Sequence, residues 1–367
     1  MRTRLLGIAL IVLGGLAVLN LYQAVFGSSN DERPSAVSVR EDEETIEMEV
    51  EAAIKEAESD FDFDFDFDFD FDFDFDDAAV SISSSSDEVM LDETFRVSDG
   101  DVLNIDVQHS EIEIETRSGI SEAHLVVTLS SRDMDSAMDV YERMDFRASS
   151  HGNTVSLVSD TPRSVNWRTR MDIKVLAIIP DHFDVNVTST HGDLNLEELF
   201  GNLILNTTHG DVNLDDVTGD EINVETTHGD IDARDLVARQ VSIETTHGEI
   251  QLHEVVSDRF YASTTHSDID IESLSGNSDI ETTHGDVNIR VDKTSGLSVS
   301  TTHGDVSIAL PQDLGADLDL SGDRVVLPSN AIFDGSKKKD RANGELNGGG
   351  AQIEVSTSHG GVSLRNR

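Results

Sequence analysis

Seven histidines, His191, His209, His228, His247, His266, His284 and His303, recur along the chain with spacings of 18, 19, 19, 19, 18 and 19. Two positions after each stands an acid: Asp193, Asp211, Asp230, Glu249, Asp268, Asp286 and Asp305. Such columns allow three kinds of chemistry. Neutral imidazoles can stack at a turn and hydrogen-bond to neighbouring turns. Imidazoles protonated near pH 6.5 can offset the acid column and make a pH-responsive stripe. Imidazole and aspartate from successive turns can also chelate a divalent cation such as zinc or nickel, with ligand distances of about 2.0–2.2 Å. On that third reading the ligands are these seven histidines with Asp193, Asp211, Asp230, Asp268, Asp286 and Asp305. Metal sites usually break symmetry and need supporting groups behind the ligands, and none is identifiable in the repeat. No other cofactor is expected. The plain reading of the acids is that each side chain accepts turn amides and faces water.

The repeat around these residues fixes what must position them. Four positions before each histidine stand Val187, Leu205, Val224, Ile243, Ala262, Ile280 and Val299. Three positions after it stand Leu194, Val212, Ile231, Ile250, Ile269, Val287 and Val306. The columns six before and five after are apolar as well, with Ser278 the one break. Each unit is therefore two short alternating strands meeting at a His-Gly corner, where glycine relieves the tight backbone. One unit cannot bury its apolar row alone, but stacking at about 4.8 Å makes a continuous core. The predicted fold is all-β, a parallel β-solenoid of 18–19-residue coils. Thr207, Thr226, Thr245, Thr264, Thr282 and Thr301 fall on the inward side, where their hydroxyls are expected to bond along the stack. A further copy at His359 follows His303 after a gap close to three more intervals.

Four segments are expected. Residues 1–27 hold Arg2 and Arg4 followed by the apolar run Leu5–Phe26, long enough to span a bilayer. The charge pattern places the bulk of the chain outside the cytoplasm. A cleaved signal peptide is the rival reading. Residues 28–90 carry 23 acids against three bases and read as a disordered acidic linker, with a short helix around Glu43–Glu58. Within it, Asp60–Asp77 alternates Phe and Asp with eight phenylalanines, either a low-complexity spacer or a self-associating strand. Residues 91–183 contain alternating strands and a helix over Asp133–Arg147, and are expected to cap the solenoid of residues 184–367.

Composition narrows the function. Acids outnumber bases 73 to 26 and the formal net charge is −47, so a nucleic acid partner is excluded by repulsion. Such a balance favours cationic partners, divalent metals or a saline medium. The absence of cysteine excludes disulfides and a lipoprotein anchor. No nucleophile elbow, phosphate-binding glycine loop or zincin helix is present, and no acid pair stands apart as a catalytic couple. The chain reads as non-enzymatic; a polysaccharide-active β-helix enzyme is the remote alternative.

A hydrophobic strand ends in proline (Val175–Pro180), and tandem Thr-x-x-Gly-Asp repeats follow. A glycine-rich stretch (Gly348–Gly350) then precedes one more copy (Ser356–Gly360). Together these resemble the bacterial putative-adhesin family of β-strand-repeat envelope proteins. The resemblance covers about residues 91–367 and implies a solenoid at the cell envelope without catalysis. In that family the residue before glycine is usually small and polar, so histidine in nearly every coil is a departure. The expected function is adhesin-like binding or a structural scaffold, held to the membrane through residues 5–26 and presenting an envelope polysaccharide or protein with a surface. A cation-binding or pH-responsive surface protein is the alternative.

Overall fold

The structure, a computed structural model, describes residues 86–160 and 171–367. The segment Leu5–Phe26, the helix around Glu43–Glu58 and the Phe–Asp tract lie outside the described residues. Among the described residues no helix is long and apolar enough to cross a membrane.

Alternation with a period of two builds the coils. In the strand Val212–Glu225, Val212, Leu214, Val217, Ile222 and Val224 are buried, while Asn213, Thr218 and Glu225 face solvent. The same phase recurs in Ile231–Glu244, Ile269–Thr282 and Val287–His303. Each coil pairs in parallel with the next, and the register matches apolar columns: Leu203 with Ile222, Leu205 with Val224, Val212 with Ile231. A one-residue slip would turn every apolar side chain outward, so burial fixes this register strongly. The chain is an all-β solenoid with two rows of parallel strands enclosing one apolar core.

The spatial order of coils differs from the order along the chain at both ends. The strands Val102–Val107 and Glu111–Arg117 flank His109 and form a full coil, paired directly with Asp184–Ser189 and Leu194–Phe200 of the His191 coil. At the other end, Ala351–His359 and Gly361–Asn366 pair directly with Val287–His303 and Val306–Leu310. His359 therefore stacks on His303 as the next rung rather than three intervals away. The intervening residues loop out to form a lid.

Both ends are closed by antiparallel pairing. Glu122–Ser131 runs antiparallel between Met171–Pro180 and Ser86–Arg96, and Arg147–His151 runs antiparallel to Thr154–Val158. Ser86–Arg96 begins inside the stretch expected from composition to be linker. The helix Met134–Met144 contacts Glu122–Ser131 and buries Ala137, Val140, Tyr141 and Met144. Its N-cap Asp133 accepts the Ser136 amide at 3.3 Å. At the far end Ala316–Ser321 pairs in parallel with Ala351–His359 and antiparallel with Arg341–Leu346, which pairs with Phe333–Lys337.

Candidate functional site

Coil stacking converts sequence columns into straight rows. At the His-Gly corner nine imidazoles stack in the order His109, His191, His209, His228, His247, His266, His284, His303, His359. Successive centroids are 4.3–5.4 Å apart, and the planes lie within 13° of parallel. The seven predicted histidines are all in this stack, which gains His109 and His359 at its ends. Eight of the rings are exposed and His109 is half-buried. Backbone bonds carry the rows round the corner: the His228 amide donates to the Thr208 carbonyl, and the His247 amide to the Thr227 carbonyl, both at 3.0 Å.

The stacking is as the sequence suggests, but from His191 to His359 the expected bonds from imidazole to neighbouring turns are not seen among the described residues. Among the described residues, no hydrogen bond or ion pair reaches the ring nitrogens of the eight stacked histidines that run from His191 to His359. The reason is geometric: parallel rings meet face to face, so the stack itself engages none of their nitrogens. Burial pushes the His109 pKa below its usual value near 6.5, and the neighbouring His191 adds to this. Burial also lowers His191, with His209 contributing.

A lowered pKa in the folded state means the neutral ring is favoured by folding. The stabilisation is complete above pH 6.5 and is lost as pH falls toward the folded-state values. The melting temperature should therefore fall between pH 7 and pH 5. Replacing His109 and His191 together by serine should flatten part of that slope in differential scanning fluorimetry, and an unchanged slope would refute it.

The acids form a second row, held by backbone. Asp193 Oδ1 accepts the Asp211 amide at 3.0 Å, Asp211 Oδ1 the Asp230 amide at 2.9 Å, and Asp230 Oδ1 the Glu249 amide at 2.8 Å. Asp268, Asp286 and Asp305 do the same for Asp286, Asp305 and Gly361, each at 2.7 Å. Each aspartate thus ties its coil to the next, committing one oxygen to an amide as the plain reading anticipates, while its side chain stays exposed. The one described group of three carboxylates close enough to share an ion lies outside both rows: Asp215, Asp216 and Asp235, with oxygens within 4.8 Å of one another.

Behind the acids the threonines face inward. Thr245, Thr264, Thr282, Thr301 and Thr357 donate to the corner carbonyls of the preceding coil, Gly229, Gly248, Ser267, Gly285 and Gly304, at 3.0–3.4 Å. Their bonds do run along the stack, with backbone rather than other hydroxyls as partners. Thr207 and Thr226 form none among the described residues.

A third row is present in the same repeat, but its mixed polar residues hide it from any search for apolar columns. Four positions after each histidine lies Glu113, Asn195, Asn213, Asp232, Gln251, Asp270, Asn288, Ser307 or Ser363, and adjacent members are register partners throughout. The Asn213 amide donates to Asn195 Oδ1 at 3.0 Å. Beside this row stand Glu197, Asp215, Arg234, His253, Glu272, Arg290 and Arg365. His253 approaches Asp232 at 3.7 Å and Glu272 at 3.3 Å. Shallow hollows follow the row, the largest of about 350 Å³ between Gln251, His253, Asp270 and Arg290.

The profile of the Toastrack family, DUF4097, matches residues 53–365. The chain belongs to that family. Among solved structures this Toastrack chain resembles a putative adhesin from Parabacteroides merdae, with 11% identity over 76% of this chain and 95% of that one and a TM-score of 0.42. It also resembles a putative adhesin from Bacteroides fragilis, at 12% identity over 78% and 99% with a TM-score of 0.35. A third likeness is a putative lipid binding protein from Parabacteroides distasonis, at 12% identity over 77% and 96% with a TM-score of 0.36. No curated protein sequence matches the Toastrack chain.

Proposed function

We propose that the chain is a non-enzymatic, adhesin-like binding module of the cell envelope, tethered through residues 5–26, that holds an extended polysaccharide along the polar row from Glu113 to Ser363. The observation carrying this reading is the row itself: amide, carboxylate and, at Ser307 and Ser363, hydroxyl side chains in register, one per coil. Amides both donate and accept, and carboxylates accept, which is the complement of sugar hydroxyls. A polymer with its own repeat can engage several coils at once. Weak contacts at each coil then add through effective concentration. The stacked coils between His191 and His303 supply a continuous track, and the arginines and His253 beside the row offer charge-assisted donors.

The test is binding of the full chain to cell-wall polysaccharide prepared from the organism that makes it. Saturable binding is expected, at least tenfold weaker in the triple variant Asn213→Ala, Gln251→Ala, Asn288→Ala. Equal binding by that variant would sink the assignment of the row. Release of new reducing ends would show an enzyme instead, and no binding at all would leave the scaffold role.

A further inference from the structure

Stacking occupies the faces of imidazole rings, whereas metal ligation uses their edges. The eight stacked rings that run from His191 to His359 have made no hydrogen bond or ion pair with their edge nitrogens among the described residues. Their planes are nearly parallel and the ring centroids lie 4.6–4.8 Å apart at most steps. Two imidazole nitrogens on one tetrahedral zinc, each at about 2.0–2.1 Å, are about 3.3 Å apart. The difference is small, and exposed side chains can close it by turning toward each other about χ1 and χ2. Every interior ring has a neighbour on each side, so the opportunity repeats along the whole corner.

We propose that neighbouring histidines of this stack bind divalent transition-metal ions in pairs, one ion bridging two successive coils, with water completing its coordination. Imidazole suits zinc, nickel and copper among such ions. The carboxylate row supports the ion electrostatically rather than as the required ligand, because each Asp Oδ1 already holds the next coil's amide. The net charge of −47 raises the local concentration of any cation. Each bridging ion clips two coils together, adding a bond along the solenoid axis. This site is on the corner, separate from the polysaccharide row on the sheet face, and stands whether or not that row binds a glycan.

Pairing makes a requirement that simple histidine content does not. Used once each, the eight rings from His191 to His359 form at most four pairs. Calorimetric titration of the full chain with zinc chloride at pH 7.5 should give about four ions per chain. An alternating variant, His191→Ser with His228→Ser, His266→Ser and His303→Ser, keeps five rings with no two adjacent. A block variant, His266→Ser with His284→Ser, His303→Ser and His359→Ser, keeps five rings in one run. Both lose the same number of histidines. The alternating variant should bind zinc at least tenfold more weakly, while the block variant keeps about two ions at the original affinity. Equal behaviour of the two variants, or full binding by both, overturns the proposal. Should the alternating variant fail to fold, electron paramagnetic resonance of the copper-loaded wild-type chain decides. Two coupled imidazole nitrogens per copper support the bridge, and a single nitrogen refutes it. The triple variant of the polar row should retain full zinc binding, so failure of one site is distinguishable from failure of the other.

Discussion

Gly248→Ala should lower the melting temperature by about 6–12 °C. A Cβ on Gly248 would sit 1.7 Å from the Gly229 carbonyl oxygen and 3.0 Å from Thr245 Oγ1. The first of these is backbone, so it cannot swing away. To make room, two coils must separate at the corner where the Gly248 amide donates to Thr245 Oγ1 and the Thr264 hydroxyl donates to the Gly248 carbonyl. Overpacking of this kind costs about 3 kcal/mol, and each kcal/mol is worth roughly 2–4 °C in a domain of this size. The same contact recurs at Gly192, Gly210, Gly229, Gly285, Gly304 and Gly360, where the Cβ would meet the previous coil's carbonyl at 1.9–2.1 Å. Close coil-to-coil approach is therefore what the whole column shares; Gly192 and Gly210 hold a positive φ in addition, whereas Gly248 does not. The comparison is His247→Ala in the same coil. That ring is exposed and only stacked, so its removal should cost about 1 kcal/mol or less. Calorimetric melting of both variants checks the pair; a Gly248→Ala protein as stable as His247→Ala would refute the steric account.

The repeat is open to reading because its physics is local and period-two. Val224, Ile243 and Ile280 recur four positions before histidine because every coil buries the same face, and one aligned column tells the burial of all the coils. The corner chemistry is half legible. That Asp193 or Asp286 accepts a turn amide follows from its short side chain at a tight turn, and the bonds at 3.0 and 2.7 Å show it. The unpartnered imidazole edges cannot be read, since spacing says that rings are neighbours and not whether they meet by faces or by edges. Nor can the rank of His109 and His359. Each is separated from the nearest repeat by several ordinary intervals, which points away from adjacency. Register pairing shows instead that the residues between them leave the stack and return. A solenoid needs its last apolar row covered, and an excursion that folds back over the terminal coil does this without a separate domain.

That excursion gives the second large effect. Deleting residues 311–348 leaves His303 and His359 one ordinary coil apart along the chain. The terminal coil should still form, because its partners Val287–His303 and Val306–Leu310 remain. What disappears is the cover: Ala316–Ser321 no longer pairs with Ala351–His359, and Leu318, Leu320, Ala342 and Leu346, all buried, are gone. Ala351–His359 becomes an open edge above a bare apolar row. An edge of that kind recruits another strand. The other end of the molecule keeps its antiparallel closure through Ser86–Arg96, Glu122–Ser131 and Arg147–His151, so only one end of each chain is adhesive. Two such ends can meet about a two-fold axis, which turns the facing strands antiparallel and closes the assembly. The expected product is therefore a dimer with unchanged far-ultraviolet circular dichroism, not a fibre. Light scattering after size exclusion measures it directly. A folded monomer at tens of micromolar would mean that the lid is not what keeps the solenoid single, and an open-ended polymer would mean that the amino-terminal pairs do not close their end.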